Sequence, residues 1–250
     1  TRTSAQIISS KAHMAMGDDA FRLKPVGTGP FILQEWIPNQ KLTFKAFDDY
    51  FDSPKPFVGA VELPLIPEET SGMTALLAGD IDLTSGAPFG DVATLMETPG
   101  FVVARQPGMN YRYCPFNISR PPFSDPHLRR AISMATDREA IVRAVQFGEG
   151  AIGNGAIPPA LAWARRSEQR EVTTFNPDRA RAELNKAQYG AGTEAVFLTW
   201  GAGWWKRWTE IMVAQSNQIL GTKFTIEVTE ANTAFQRYKQ QDIDAAPTGW

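Results

Sequence analysis

The chain has 250 residues, 27 acidic and 25 basic side chains and a formal net charge of -2. That balance excludes the basic face that nucleic-acid binding requires, and no stretch approaches the roughly 18–20 apolar residues of a membrane span. A single cysteine, Cys114, excludes an internal disulfide, while 43% apolar residues, 15 Phe and 7 Trp allow a sizeable core.

Thr1 is not an initiator Met and no signal-peptide pattern follows it, so it is expected to be a cut end. Residues 31–37 and 41–47 predict a hairpin. Leu42, Phe44 and Ala46 alternate with Thr43 and Lys45, and Pro38-Asn39-Gln40 supplies the turn. A strand is expected at 59–66. Pro67 then opens a helix in which Met73, Leu76 and Leu77 form the apolar stripe, and Gly79 ends it. A short strand at 81–83, a helix over 88–97, a strand at 101–105 and an extended stretch over 109–117 follow.

The texture changes near 120, where Arg120-Pro121-Pro122-Phe123 reads as a rigid linker. Asp125 caps a helix with Pro126 at its first position, and Leu128, Ala131, Ile132 and Ala135 recur at helical spacing. Asp137 caps the next helix, with Ile141, Val142 and Val145 facing inward. Residues 148–174 read as irregular, and Asn176-Pro177 opens a helix to about 188. The last sixty residues predict a strand at 195–200, a helix carrying Trp204, Trp208, Ile211, Met212, Gln215 and Ile219 on one face, and a strand at 223–229. A helix over 232–240 and a strand at 243–248 complete the chain. Strand and helix alternate, so a parallel βαβαβ unit is expected.

Ligands of open α/β sheets sit beyond the carboxyl ends of the strands. Here that rule selects Trp200–Trp205, Glu230–Asn232 and Thr248–Trp250. Trp200, Trp204, Trp205 and Trp250 are therefore candidate ligand contacts. Trp204 and Trp208 serve equally as core anchors of their helix. Gly27-Thr28-Gly29 lacks the Lys-Ser/Thr of a phosphate loop and reads as a turn. The two histidines, His13 and His127, show no metal-ligand spacing with Cys114 and no nucleophile motif, so neither a metal site, a cofactor nor an enzyme is expected.

Taken in order, a set of motifs resembles the peptide-, dipeptide- and nickel-binding receptors of ABC transporters, the extracellular solute-binding proteins of family 5. They are Pro25–Phe31, Glu35-Trp36, Phe47–Phe51, Leu76–Asp82, Phe116-Asn117, Arg120–Asp125, Arg129–Ile132 and Ala135–Val142. Ile157–Pro159, Asn176–Ala180, Asp244-Ala245 and Gly249-Trp250 complete the set, which covers about 25–250. The resemblance implies an α/β, two-lobed, type II periplasmic binding protein-like fold with mixed sheets and flanking helices, present here as a partial clamshell. Residues 1–112 would form part of the first lobe and 113–250 a second lobe truncated at its C-terminus, with 110–117 crossing between them. Tyr113 and Trp250 fall where peptide-binding members place cleft aromatics, and Tyr111 joins them as a candidate. Ala231 stands where oligopeptide binders have another cleft Trp. The implied function is a monomeric periplasmic or lipid-anchored receptor. It would capture a small molecule, a peptide first, and deliver it to the permease subunits of an ABC transporter, without nucleic acid. The alternative is the ligand-sensing domain of a transcription regulator with the same fold.

Overall fold

The computed structural model describes residues 7–52, 54–85, 87–106, 108–153, 155, 157–164, 174–201 and 203–249. They divide into two compact units, 1–88 and 89–250.

The first unit opens with a helix that the sequence pattern had concealed, α1 (Ser10–Leu23), capped by the Ser9 side chain, which accepts from the Ala12 N–H at 3.2 Å. Gly17 is non-helical at φ 73°, and the chain is helical on both sides of this kink. An antiparallel bridge between Ile8 and Gly27 closes the following turn. The hairpin forms as expected: β1 (Phe31–Ile37) pairs with β2 (Lys41–Ala46), and β3 (Ala60–Pro64) adds to β2, all antiparallel. Asn39 takes the left-handed position of the tight turn, φ 60°, which asparagine tolerates better than most residues. The next helix, α2, runs over Glu69–Ala78, so Pro67 precedes it rather than opening it. Gly79, at φ 80°, ends it as the sequence predicted.

The second unit begins with a short 3-10 turn, Phe89–Asp91, and α3 (Val92–Glu97). The strands expected at 81–83 and 101–105 join no ladder among the described residues. Val102 stands 95% exposed, and without a partner an apolar run does not become a strand. Then come β4 (Arg112–Tyr113), α4 (Pro126–Ala135), α5 (Arg138–Gln146), a 3-10 segment at Pro159–Ala164 and α6 (Pro177–Leu184). They are followed by β5 (Glu194–Trp200), α7 (Trp204–Leu220), β6 (Lys223–Thr229), α8 (Ala231–Lys239) and β7 (Thr248–Gly249).

β5 and β6 are parallel and in register from Glu194↔Lys223 to Trp200↔Thr229, with α7 as the crossover. The third strand of the expected unit is reduced to one parallel bridge, Phe197↔Ala245, with the Leu198 N–H donating to the Ala245 carbonyl at 2.8 Å. Beyond that bridge the chain turns its other edge to residues 112–117. Arg112↔Gly249, Tyr113↔Thr248 and Phe116↔Ala245 form one antiparallel register, and the Asn117 N–H donates to the Asp244 carbonyl at 2.8 Å. The working order across this layer is thus β6, β5, 244–249, 112–117.

β5 is covered on both faces, as a parallel strand normally is. Ala195 and Phe197 join a core with Leu128, Ala131, Ile132 and Ala135 of α4, Ile141 and Val145 of α5, and Met212 and Val213 of α7. At its centre Phe123, Phe197 and Phe224 pack ring to ring at 5.2–5.9 Å, and Phe116 lies 4.8 Å from Phe123. On the opposite face Leu198 and Trp200 pack with Ala234, Ile243 and Ala246.

The residues of the ordered motif set explain themselves as scaffold. Asp125, Asp137 and Asn176 cap α4, α5 and α6 through their side chains. Asn117 donates its amide to the carbonyls of Gln241 and Ile243 at 2.9 and 3.0 Å, fixing the return of the chain beside 112–117. Asp244 accepts from the Val196 N–H and from Arg120, both at 2.9 Å.

Candidate ligand-binding site

The strand-end rule and the register above converge on one place. From the Phe197↔Ala245 bridge, three residues further along each parallel strand lead to Trp200 and Thr248, and Thr248 lies opposite Tyr113. The carboxyl end of β5 therefore lies one strand away from Tyr111, Arg112 and Tyr113, with 244–249 between them.

Aromatic rings wrap around this end. Trp200 lies 5.0 Å from Trp205 and 5.5 Å from Phe235 of α8, centroid to centroid. Trp205 stacks on Trp204 at 4.0 Å with 26° between planes, and reaches Trp208 at 5.8 Å. The local sequence produces this. Gly201 and Gly203, at φ 66° and 85°, turn the chain from β5 directly into α7 in a backbone conformation that disfavours side chains. Trp204 and Trp205 then occupy the first turn of α7 and Trp208 the next. Trp204 and Trp208 also pack against the main core, as their reading as helix anchors expected, and Trp200 packs against the smaller cluster on the other face. All four rings keep partial exposure.

Over this wall lies a residue that the sequence had not singled out. The Arg112 guanidinium sits 4.3 Å from the centroid of Trp204 and 4.9 Å from that of Trp205. Gly249, directly across the ladder, makes room: a Cβ there would stand 2.7 Å from Arg112 Nη1 and 2.9 Å from its Cδ. Desolvation lowers the Arg112 pKa from its ordinary value. Tyr111 and Tyr113 flank Arg112 and, by strand alternation, face the other side, where their rings stack at 5.1 Å. Of the sequence candidates, Trp200, Trp204 and Trp205 are brought together, Tyr111 and Tyr113 form a separate pair, and Trp250 lies outside the described residues. The missed contributors are Arg112 and Phe235, while Gly249 lies in the selected Thr248–Trp250 loop. The alternation Tyr-Arg-Tyr could have flagged Arg112 as facing away from the tyrosines. Its indole partners are ninety residues distant and carried no local signal.

Next to the wall, an open hollow of about 630 Å³ is lined by Gly201, Lys206, Val228, Thr229 and Glu230, at the carboxyl ends of β5 and β6. Among the described residues no cluster of three His, Cys, Asp or Glu side chains could hold a metal. Cys114 belongs to the 112–117 stretch and packs against the main core, and burial pushes its thiol well above the ordinary range.

The family model of the bacterial extracellular solute-binding proteins, family 5 (middle), matches residues 2–250. The chain belongs to this family. Family 5 is a family of binding proteins rather than enzymes, and the ordered motifs had pointed to it. The Heme-binding protein A of Haemophilus influenzae is 28% identical over 239 residues, covering 91% of this chain and 42% of that protein. The Dipeptide-binding protein of Escherichia coli is 28% identical over 165 residues, 66% of this chain and 30% of its own length. The periplasmic binding protein DppA of Helicobacter pylori, solved with the peptide STSA, superposes with a TM-score of 0.84 at 24% identity, over 98% of this chain and 48% of that one. The fold is accordingly α/β of the type II periplasmic binding protein class, and the chain spans less than half the length of these relatives.

Proposed function

We propose that the full-length protein is an extracytoplasmic receptor that captures a small ligand, with peptides the favoured class, and delivers it to the permease of an ABC transporter. The observation that carries this reading is the aromatic wall at the carboxyl end of β5, in a member of family 5. Flat amphipathic rings beside an open hollow hold varied side chains and lose little conformational freedom on binding. Two of the compared relatives are named or solved as peptide binders and one as a heme binder, so the family background favours peptides and fixes no single ligand. None of these three carries the name of a transcription regulator, which weighs against the sensing-domain alternative.

In this proposal residues 1–112 belong to the first lobe and 113–250 to the second, and the lobes close on the ligand as hinge residues absorb the motion. Residues 89–112 pack with the second compact unit, so the lobe boundary rests on the family resemblance. The receptor works as a monomer, periplasmic or lipid-anchored, and Tyr111, Tyr113, Trp200, Trp204, Trp205 and Trp250 contact the ligand. The test is calorimetric titration of the full-length protein with a defined tripeptide pool. Trp205→Ala and Tyr113→Ala each weaken binding by about 1–3 kcal/mol with thermal midpoints close to wild type. Unchanged affinity together with a large loss of thermal stability would make these rings core elements and refute the reading.

A further inference from the structure

Away from the aromatic wall, the segment 89–106 is tied to the end of α5 by two contacts of different kinds. The first is charged. Arg105 Nη2 stands 2.8 Å from Glu149 Oε2 and 3.0 Å from Oε1, so one nitrogen spans both carboxylate oxygens. Arg105 Nη1 also lies 3.7 Å from the Met96 sulfur of α3. Among the described residues no other hydrogen bond or ion pair joins 89–106 to the chain beyond 112.

The second contact is apolar and involves a strained residue. Phe147 ends α5 in the left-handed region, at φ 52° and ψ 29°, a place that glycine usually takes and L side chains disfavour. Its ring lies against Gly90, where an added Cβ would stand 3.3 Å from the ring Cζ. The ring is still 63% exposed, so burial in the core does not account for the strain. Strain kept at a surface position points to a function for the contact. The same turn sets up the ion pair. Gly148 follows at φ 86°, and the Glu149 N–H donates to the Gln146 carbonyl at 2.8 Å, which directs the Glu149 carboxylate to Arg105.

In the receptor reading, Gly90 and Arg105 belong to the first lobe and Phe147 and Glu149 to the second. Resting on that reading, we infer that Arg105–Glu149 and Gly90–Phe147 form a latch between the lobes that stabilises their closed arrangement. Both contacts lie outside the crossing chain at 110–117, so they separate when the lobes move apart, while 112–117 keeps its ladder with 244–249. A half-exposed ion pair is weak, and a weak latch biases closure without trapping the ligand. Apparent affinity follows the fraction of protein in the binding-competent arrangement. Loosening the latch therefore weakens binding without removing any ligand contact.

The probe is an equimolar pool of Ala-Xaa-Ala tripeptides, titrated calorimetrically into the full-length protein. Arg105→Glu sets two carboxylates against each other. It is expected to raise the Kd about fivefold or more, with a thermal midpoint close to wild type. Combining Arg105→Glu with Glu149→Arg rebuilds the pair in reverse and returns the Kd to within about twofold of wild type. Phe147→Gly relieves the left-handed strain, so the variant folds, and it also weakens binding. Unchanged or tighter binding in Arg105→Glu and Phe147→Gly, or no recovery in the exchanged pair, overturns the latch alone. A lowered thermal midpoint with unchanged Kd makes both contacts internal to the second lobe and likewise overturns it. Binding of no tripeptide by the wild type overturns the peptide reading and the latch with it.

Discussion

The carboxylate of Asp244 stands where a strand should continue. After the Phe197↔Ala245 bridge, the parallel ladder would next bring the Val196 N–H to the Ile243 carbonyl. That carbonyl is taken by the Asn117 amide at 3.0 Å, and Asp244 Oδ2 instead accepts from Val196 at 2.9 Å. Removing the side chain in Asp244→Ala leaves the Val196 N–H without its charged acceptor, a loss of about 1.5–3 kcal/mol. The second oxygen pairs with Arg120, whose side chain is 44% exposed, so that contact adds at most about 1 kcal/mol. The expected destabilisation is therefore about 2–3 kcal/mol for Asp244→Ala and about 0.5 kcal/mol for Arg120→Ala. Asp244→Asn falls between, since an amide oxygen can still accept from Val196. Urea unfolding of the full-length protein, followed by tryptophan fluorescence, reads these as shifts of the midpoint at constant slope. If Arg120→Ala costs as much as Asp244→Ala, the ion pair rather than the ladder substitution holds this edge, and the reasoning fails.

Further outcomes follow from the core, the thiol, the acid cluster and the ladder. Phe197, fully buried among Phe116, Phe123 and Phe224, should lose about 3–5 kcal/mol as Phe197→Ala, measured by the same denaturation. Cys114, its thiolate disfavoured by burial, should react with a disulfide reagent at pH 8 only upon addition of denaturant. Hydrogen bonds from Lys186 and then His127 hold the Glu183 carboxyl down at about 2, against an ordinary 4.5. Because the folded pKa is depressed, this contribution to stability is complete above about 4.5 and is lost as pH falls towards 2. Thermal melts across that window should decline less steeply in Glu183→Gln. Gly249→Ala should displace Arg112 from the indoles and change tryptophan emission without unfolding the protein; an unchanged spectrum would refute the close approach.

Much of the second unit was legible because its signals are local. Caps at Asp125, Asp137 and Asn176 sit beside the helices they start, and the spacing of Leu128, Ala131, Ile132 and Ala135 marks a face that is wholly buried. The parallel pairing of β5 with β6 follows from two alternating runs flanking one amphipathic helix. The illegible parts depend on distant partners. Residues 101–105 have strand composition and find no ladder, whereas 112–117 form one with residues 244–249, far along the chain. The same distance concealed Arg112, whose position depends on an absent side chain at Gly249 and on rings in α7. The helix α1, for which the sequence analysis named no element, is kinked at Gly17 and continues past it.

In the proposed function the full-length protein binds a small ligand against the aromatic wall at the end of β5. Native mass spectrometry of that protein, incubated with the defined tripeptide pool, tests this directly. Saturable one-to-one adducts of tripeptide mass are expected, weakening sharply in Trp205→Ala. A protein that keeps its ligand-free mass at every pool concentration, or adducts that survive Trp205→Ala undiminished, would contradict it.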